Sequence, residues 1–355
     1  KATQDAVHTA FFIAIILGVV LTIGGVIFTP SILRLMGTPD DVINESITYL
    51  RLYSCGLIFN VVYNMSAGIL NAAGNSKRSL IYLAYASVTN IILDIILISF
   101  LKMGVAGAAI ATDISQVVSC VLALIFLMKS NDSYKVDLKK IKCHSKMAIR
   151  IIKIGLPTGI QNMVISFSNI LVQASINSFG ALAMAGFGAY MKIDGFNILP
   201  VMSFSMAVTT FVGQNYGAGK IDRVKKGMWT TIGMGMIYTV VTGALILLFS
   251  NEIMRLFTED KDVIAYGRMA IMFFCPFYFI LSILQSLAGT VRGTGKSVPP
   301  MVVSMCLFRI VWVQFILPMF NSIDGIFILY PVSWALGTVL MILYAWKGKW
   351  LEVYK

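Results

Sequence analysis

Few residues in this chain can do chemistry inside an apolar stretch, and the clearest of them gather around Asp94. In Asn90-Ile-Ile-Leu-Asp94 the four-residue spacing puts an amide and a carboxylate on one helix face. The next apolar stretch opens with Gly104-Val-Ala-Gly107-Ala-Ala and then carries Thr112. Small residues there let two helices approach closely enough for the hydroxyl to reach Asp94. A carboxylate, an amide and a hydroxyl around one point offer oxygen ligands to a hard cation, or a protonatable acid with hydrogen-bond partners. The plainer alternative is a structural polar contact. Asp113 points about 100° away from Thr112 on the same helix and is a second, weaker candidate.

The second half of the chain offers less. Asp194, beside Lys192, reads as part of a local ion pair near the outer start of its stretch, so no acid is expected deep within a span there. Arg309 reads either as an attraction for an anionic group or as the balance for a carboxylate elsewhere. Pro200, Pro276 and Pro331 each remove a backbone donor, and in lipid the freed carbonyl needs a partner or a wet cavity. They are candidate hinges, or static kinks that shape packing. Gly289 to Ser297 fails as a phosphate loop, because Thr290 stands where the motif needs glycine and a span rather than a strand precedes it. A tight glycine turn explains both it and its first-half copy, Gly68 to Ser76. The five cysteines (Cys55, Cys120, Cys143, Cys275, Cys306) lack paired spacing, and His8 and His144 lack a second ligand; no metal site or cofactor is expected beyond a hard cation at Asp94.

The elements that must hold these residues are membrane helices. With 58% hydrophobic and 12% charged residues, the chain cannot cover a soluble surface. Stretches able to cross a hydrocarbon core roughly 30 Å thick fall near 8–29, 45–69, 79–101, 105–128, 155–179, 189–213, 225–249, 264–289, 298–320 and 325–346, which makes ten spans. The chain also repeats itself. Arg34-Leu35 falls over Arg255-Leu256 at an offset of 221, and the same offset carries Asp41-Val42-Ile43 onto Asp262-Val263-Ile264 and Gly74 onto Gly295. One gap later, Gly107 and Ser115 fall over Gly325 and Ser333. A duplicated membrane half marks a secondary transporter, with the substrate path between two similar bundles.

The expected fold is therefore an all-α integral membrane protein of two pseudo-symmetric bundles. Residues 1–130 form a four-helix N-terminal lobe, 131–153 a cytoplasmic linker and 154–355 a six-helix C-terminal lobe. The first copy has no counterpart to the segment from about Leu156 to Gly219, so two helices are expected to precede Lys1 in a twelve-helix protein, and the fragment alone is expected to be inactive. Twenty cations on the side of Lys1 against seven on the other place Lys1, the linker and the C-terminus in the cytoplasm. The net charge of +12 is then a topogenic signal rather than a nucleic-acid footprint. An intramembrane enzyme is not expected, since neither Gly-x-Gly-Asp nor His-Glu-x-x-His occurs.

Several segments resemble the multidrug and toxic compound extrusion family. They are Val212-Gly-Gln-Asn-Tyr-Gly-Ala-Gly219, Leu35-Met-Gly-Thr-Pro-Asp-Asp-Val42, Gly68-Ile-Leu-Asn-Ala-Ala-Gly74 and Gly104-Val-Ala-Gly107-Ala-Ala-Ile-Ala-Thr112. The resemblance implies twelve helices around a central cavity, and export of amphipathic, often cationic compounds by alternating access in exchange for sodium ions or protons. It also implies an N-lobe ion site to which Asn90, Asp94 and Thr112 would contribute, with a further aspartate before Lys1. Another branch of the family carries acids in its seventh and tenth helices. Here Gln161 and Asn162, and then Gln285, stand in those helices, so they become candidates for a substrate cavity instead. A monomer in the plasma or inner membrane is expected, with small-molecule drugs and the bilayer as partners and no nucleic acid. The alternative is a flippase for a lipid-linked sugar or other amphipathic lipid, in which Arg309 would meet a phosphate.

Overall fold

A computed structural model of the chain describes residues 2–35, 38–304, 307–316, 319, 322–347 and 349–351. Lys1, Met36, Gly37 and Cys306, which entered the sequence reading, lie outside them. Among the described residues the secondary structure is helical, and the chain divides into two compact units, residues 1–152 and 153–355.

The first unit begins with α1 (Ala2–Leu35), whose 34 residues make a rod about 51 Å long at 1.5 Å per residue. Its long uninterrupted apolar run leaves Val20, Ile27 and Phe28 exposed where only lipid could cover them, while Val7, Phe11 and Ala14 face inward. Next come α2 (Ile43–Cys55) and α3 (Leu57–Ala72), which meet at Gly56 with a bend of 44°. Then α4 (Ser76–Asp94) runs directly into a π-helical stretch, Ile95–Phe100, and α5 (Gly104–Lys129) packs against it. The chain beyond α5 is tied back to α1. The Asp137 amide donates to His8 Nε2 at 3.1 Å, the His144 amide donates to Thr9 Oγ1 at 3.1 Å, and Val136 is buried. Both histidines thus serve as structural clamps, and no metal-binding cluster occurs among the described residues.

The second unit contains α6 (Ser145–Asn177, whose first turns precede the division), α7 (Ala181–Gly217), α8 (Ile221–Leu248), the short α9 (Ser250–Arg255), α10 (Lys261–Phe274) and α11 (Tyr278–Gly293). A 3-10 turn at Cys275–Phe277 joins the last two into one broken span, as Pro276 requires. Then follow α12 (Val298–Ser304), α13 (Leu307–Val311) with a π-helical stretch at Trp312–Ile316, α14 (Asp324–Phe327) and α15 (Leu329–Trp346). The core is aromatic: Phe274 stacks on Tyr190 at 5.1 Å and meets Phe327, Tyr330 and Trp334.

Of the ten expected spans, seven helices among the described residues are long and apolar enough to cross a membrane, or eight with α2 and α3 counted as one span. The two remaining stretches fall short for separate reasons. In α6 the amides of Gln161, Asn162 and Asn169 dilute the apolar run. Residues 298–320 are split among α12, α13 and the π-helical stretch, with 305, 306, 317, 318 and 320 outside the described residues.

The repeat is visible in the backbone. Gly74 and Gly295 both adopt positive φ, 81° and 86°, and each amide donates to the carbonyl three residues back, at 3.0 and 2.9 Å. These are the tight turns expected of the two glycine loops, in a conformation glycine adopts without strain. A π-helical stretch also occurs in each copy, starting at Ile95 and at Trp312, within one residue of the 218 offset between Gly107 and Gly325.

Candidate functional site

In the first unit, Asp94 is the last α-helical residue of α4, and the π-helical stretch starts at the next residue. Such stretches widen the helix by a residue per turn, loosen the ladder and occur often at functional sites. Asp94 is partly buried and makes no hydrogen bond or ion pair among the described residues. One turn earlier, the amide nitrogen of Asn90 is buried with no partner. A buried donor without an acceptor costs about 1–3 kcal/mol, so this end of α4 carries an unsatisfied group. Thr112 lies on α5, the helix packed on α4, but its hydroxyl donates to its own helix, to the Ala108 carbonyl at 3.0 Å. The three residues thus sit on two adjoining helices, with no hydrogen bond joining them.

Asp113 turns to another place. One of its carboxylate oxygens is buried without a partner, and the carboxylate lies directly against Gly56 at the break between α2 and α3. A β-carbon at Gly56 would collide with it. Gln116, one turn along the same face of α5, also has a buried oxygen without a partner.

The second unit corrects one expectation outright. Asp194 is not paired with Lys192: it lies within the 37-residue α7 and is 8% exposed. Lys192 points outward over the Phe257 ring. The carboxylate accepts from the Tyr190 hydroxyl at 2.8 Å, and Tyr190 meets the Tyr278 hydroxyl at 2.6 Å. Because Tyr190 donates its one proton to Asp194, Tyr278 must donate to Tyr190, which gives a directed relay from α11 through α7. The signal was in the sequence, for Tyr190 and Asp194 are four residues apart, on one face of α7.

The same unit gathers a second group of polar side chains. Arg309 on α13 is 9% exposed. Its Nε donates to Ser333 Oγ and its Nη1 to Asn169 Oδ1, both at 3.2 Å, and the guanidinium lies 4.6 Å over the Tyr330 ring. Gln285 and Trp334 complete a cavity of about 240 Å³ with them. The structure therefore brings Gln285 and Arg309 together. Gln161 is buried elsewhere, with its amide oxygen lacking a partner, and Asn162 is exposed. Sequence reasoning passed over Asn169, although it stands seven residues, two helical turns, from Asn162.

The candidate hinges divide. Pro200 lies inside α7, and the carbonyl it frees, that of Phe196, accepts from the Tyr238 hydroxyl at 2.8 Å. Pro276 sits at the 3-10 break, and Pro331 lies in the first turn of α15, where a missing donor costs little. A proline in the first half was overlooked: Pro30 lies within α1, and the Val26 carbonyl it frees accepts from Arg51 Nε at 3.3 Å. Outside the spans, Asp137 is held below the usual carboxylate range, first by its hydrogen bond with Lys140 and then by the Lys139 amide.

Comparison with known proteins adds an independent line. The profile of the family described as MatE matches residues 1–96 and 157–317. The chain is 30% identical over 362 residues to the probable multidrug resistance protein YoeA of Bacillus subtilis, covering 98% of this chain and 78% of that protein. It is 27% identical to the probable multidrug resistance protein NorM of Thermotoga maritima, over 99% of this chain and 77% of that one. Among solved structures, a MOP superfamily transporter from Pyrococcus furiosus superimposes with a TM-score of 0.90 at 21% identity, over 99% of this chain and 81% of the other.

Proposed function

This chain belongs to the MatE family of multidrug efflux transporters, and from that premise we propose that it exports amphipathic compounds by antiport, with a sodium ion or proton entering at Asp94. The observation that carries the reading is the position of Asp94. A carboxylate without a partner stands where the α-helix gives way to a π-helical stretch, one turn from the partnerless Asn90 amide. Ionised Asp94 would favour the arrangement that binds drug. Neutralising it with a proton, or pairing it with sodium, removes the charge, and the loosened stretch that follows gives the span a second conformation to adopt. Cation and drug then act on one conformational equilibrium, so each lowers the other's affinity.

The names carried by the relatives, multidrug resistance proteins, favour drug efflux over lipid flipping. Small amphipathic drugs are the proposed cargo, and Asn90 and Thr112 are the proposed partners of Asp94. The protein is a multi-pass membrane protein, and the excess of Lys and Arg supports a cytoplasmic linker.

Efflux of two amphipathic dyes, one cationic and one anionic, from vesicles holding the full-length protein under separate sodium and proton gradients tests the reading. One gradient is expected to drive export and Asp94→Asn to abolish it. Export that survives the substitution would remove Asp94 from coupling.

A further inference from the structure

We infer that the cavity around Arg309 is a binding site for the anionic head of an aromatic or otherwise apolar amphiphile. The inference names a substrate class for the exporter proposed above and rests on that reading.

A guanidinium taken out of water needs compensation, normally from a carboxylate. Arg309 is 9% exposed, yet the ion pairs of the described residues are Lys140–Asp137 and His144–Asp5, and neither involves it. What surrounds it is neutral. Ser333 and Asn169 take one N–H each, and the Tyr330 ring takes one face of the plane. Two of the five N–H donors are thereby used, which leaves three without an acceptor among the described residues. Those three include both on Nη2, so the Nη1–Nη2 edge still has the fork that pairs with the two oxygens of a carboxylate, sulfonate or phosphate.

The cavity supplies the rest of an amphiphile site. Its about 240 Å³ is shared between the Arg309 group and apolar walls that include Trp334. A flat apolar body can lie against those walls while its anionic head meets the guanidinium. Gln285, also lining the cavity, can donate to such a head through its amide. A cationic ligand would place its charge against Arg309 with no acid among the described lining residues to offset the repulsion. Anion selectivity is therefore built into this part of the second unit.

The test is a charge-reversed pair with one aromatic body, naphthalene-2-sulfonate and 2-naphthyltrimethylammonium, titrated calorimetrically against the chain in phosphatidylcholine nanodiscs without an ion gradient. The sulfonate is expected to bind at least about tenfold more tightly than the ammonium ion. Arg309→Gln should abolish that preference. Gln285→Glu keeps Arg309 and nearly the same side-chain shape but places an anion in the cavity, and it should weaken the sulfonate while strengthening the ammonium. No preference in the unaltered chain, or a preference that survives Arg309→Gln, would overturn the site. If Arg309→Gln does not purify folded, the Gln285→Glu shift decides, and its absence also overturns the site.

Repeating the titration with phosphatidylglycerol in the nanodisc separates two sources of the anion. Competition with the sulfonate points to a lipid phosphate, and unchanged affinity points to a free amphiphile; both sustain the site. Because no gradient is applied, loss of driven efflux with the anion preference intact refutes only the antiport reading. Driven efflux without the preference refutes only this one.

Discussion

Asp194 shows how a residue's neighbours decide its role. Its carboxylate is the end of a relay from Tyr278 through Tyr190, inside a helix whose polar neighbour Lys192 faces the other way. The Asp194→Asn variant keeps an oxygen acceptor at the same place and is expected to change thermal stability by less than about 1 kcal/mol. Asp194→Leu leaves a buried phenol proton without an acceptor and should cost about 1–3 kcal/mol. Equal losses for both variants in thermal unfolding would mean that the charge, not the relay, matters. Tyr238 plays a comparable part for the backbone, because its hydroxyl satisfies the carbonyl that Pro200 frees. The kink is thus held by a specific hydrogen bond, which is what allows a proline to sit mid-span.

At the scale of elements, α7 and α11 pack closely in the second unit. Ser205 and Thr209, one turn apart on α7, donate to the Gln285 and Gly289 carbonyls, one turn apart on α11, at 2.8 and 2.9 Å. These bonds require the backbones to approach closely, and Gly289 and Gly293 permit it. A β-carbon on Gly289 would lie 2.6 Å from the Ser205 carbonyl oxygen, and one on Gly293 2.7 Å from that of Thr209. Backbone cannot swing aside as a side chain can, so Gly289→Ala is expected to separate the helices and cost about 1–3 kcal/mol. Gly233 on α8 has open space around it, and Gly233→Ala should be nearly neutral. Thermal unfolding in detergent compares the two, and similar effects would show that the contact is not limiting.

For the whole molecule, the proposed sidedness can be tested at Cys143, which is exposed in the segment between α5 and α6. With Cys55 and Cys306 replaced by Ser, a membrane-impermeant maleimide should label Cys143 only after right-side-out vesicles are opened; labelling of sealed vesicles would invert the proposed orientation. The sequence by itself determined the membrane class, the repeat, the glycine turns at Gly74 and Gly295 and the polar pair on α4. Each of these depends on composition or on contacts within a few residues, and such patterns survive in one dimension. It misplaced Asp194 because local spacing to Lys192 looked like an ion pair, whereas burial was decided by α11 bringing Tyr278 to that face. It could not assemble Asn169, Gln285, Arg309 and Ser333, which come from four different helical segments. Hydrogen-bond partners, free donors and the shape of a cavity are properties of distant segments brought together, and only the tertiary structure decided them.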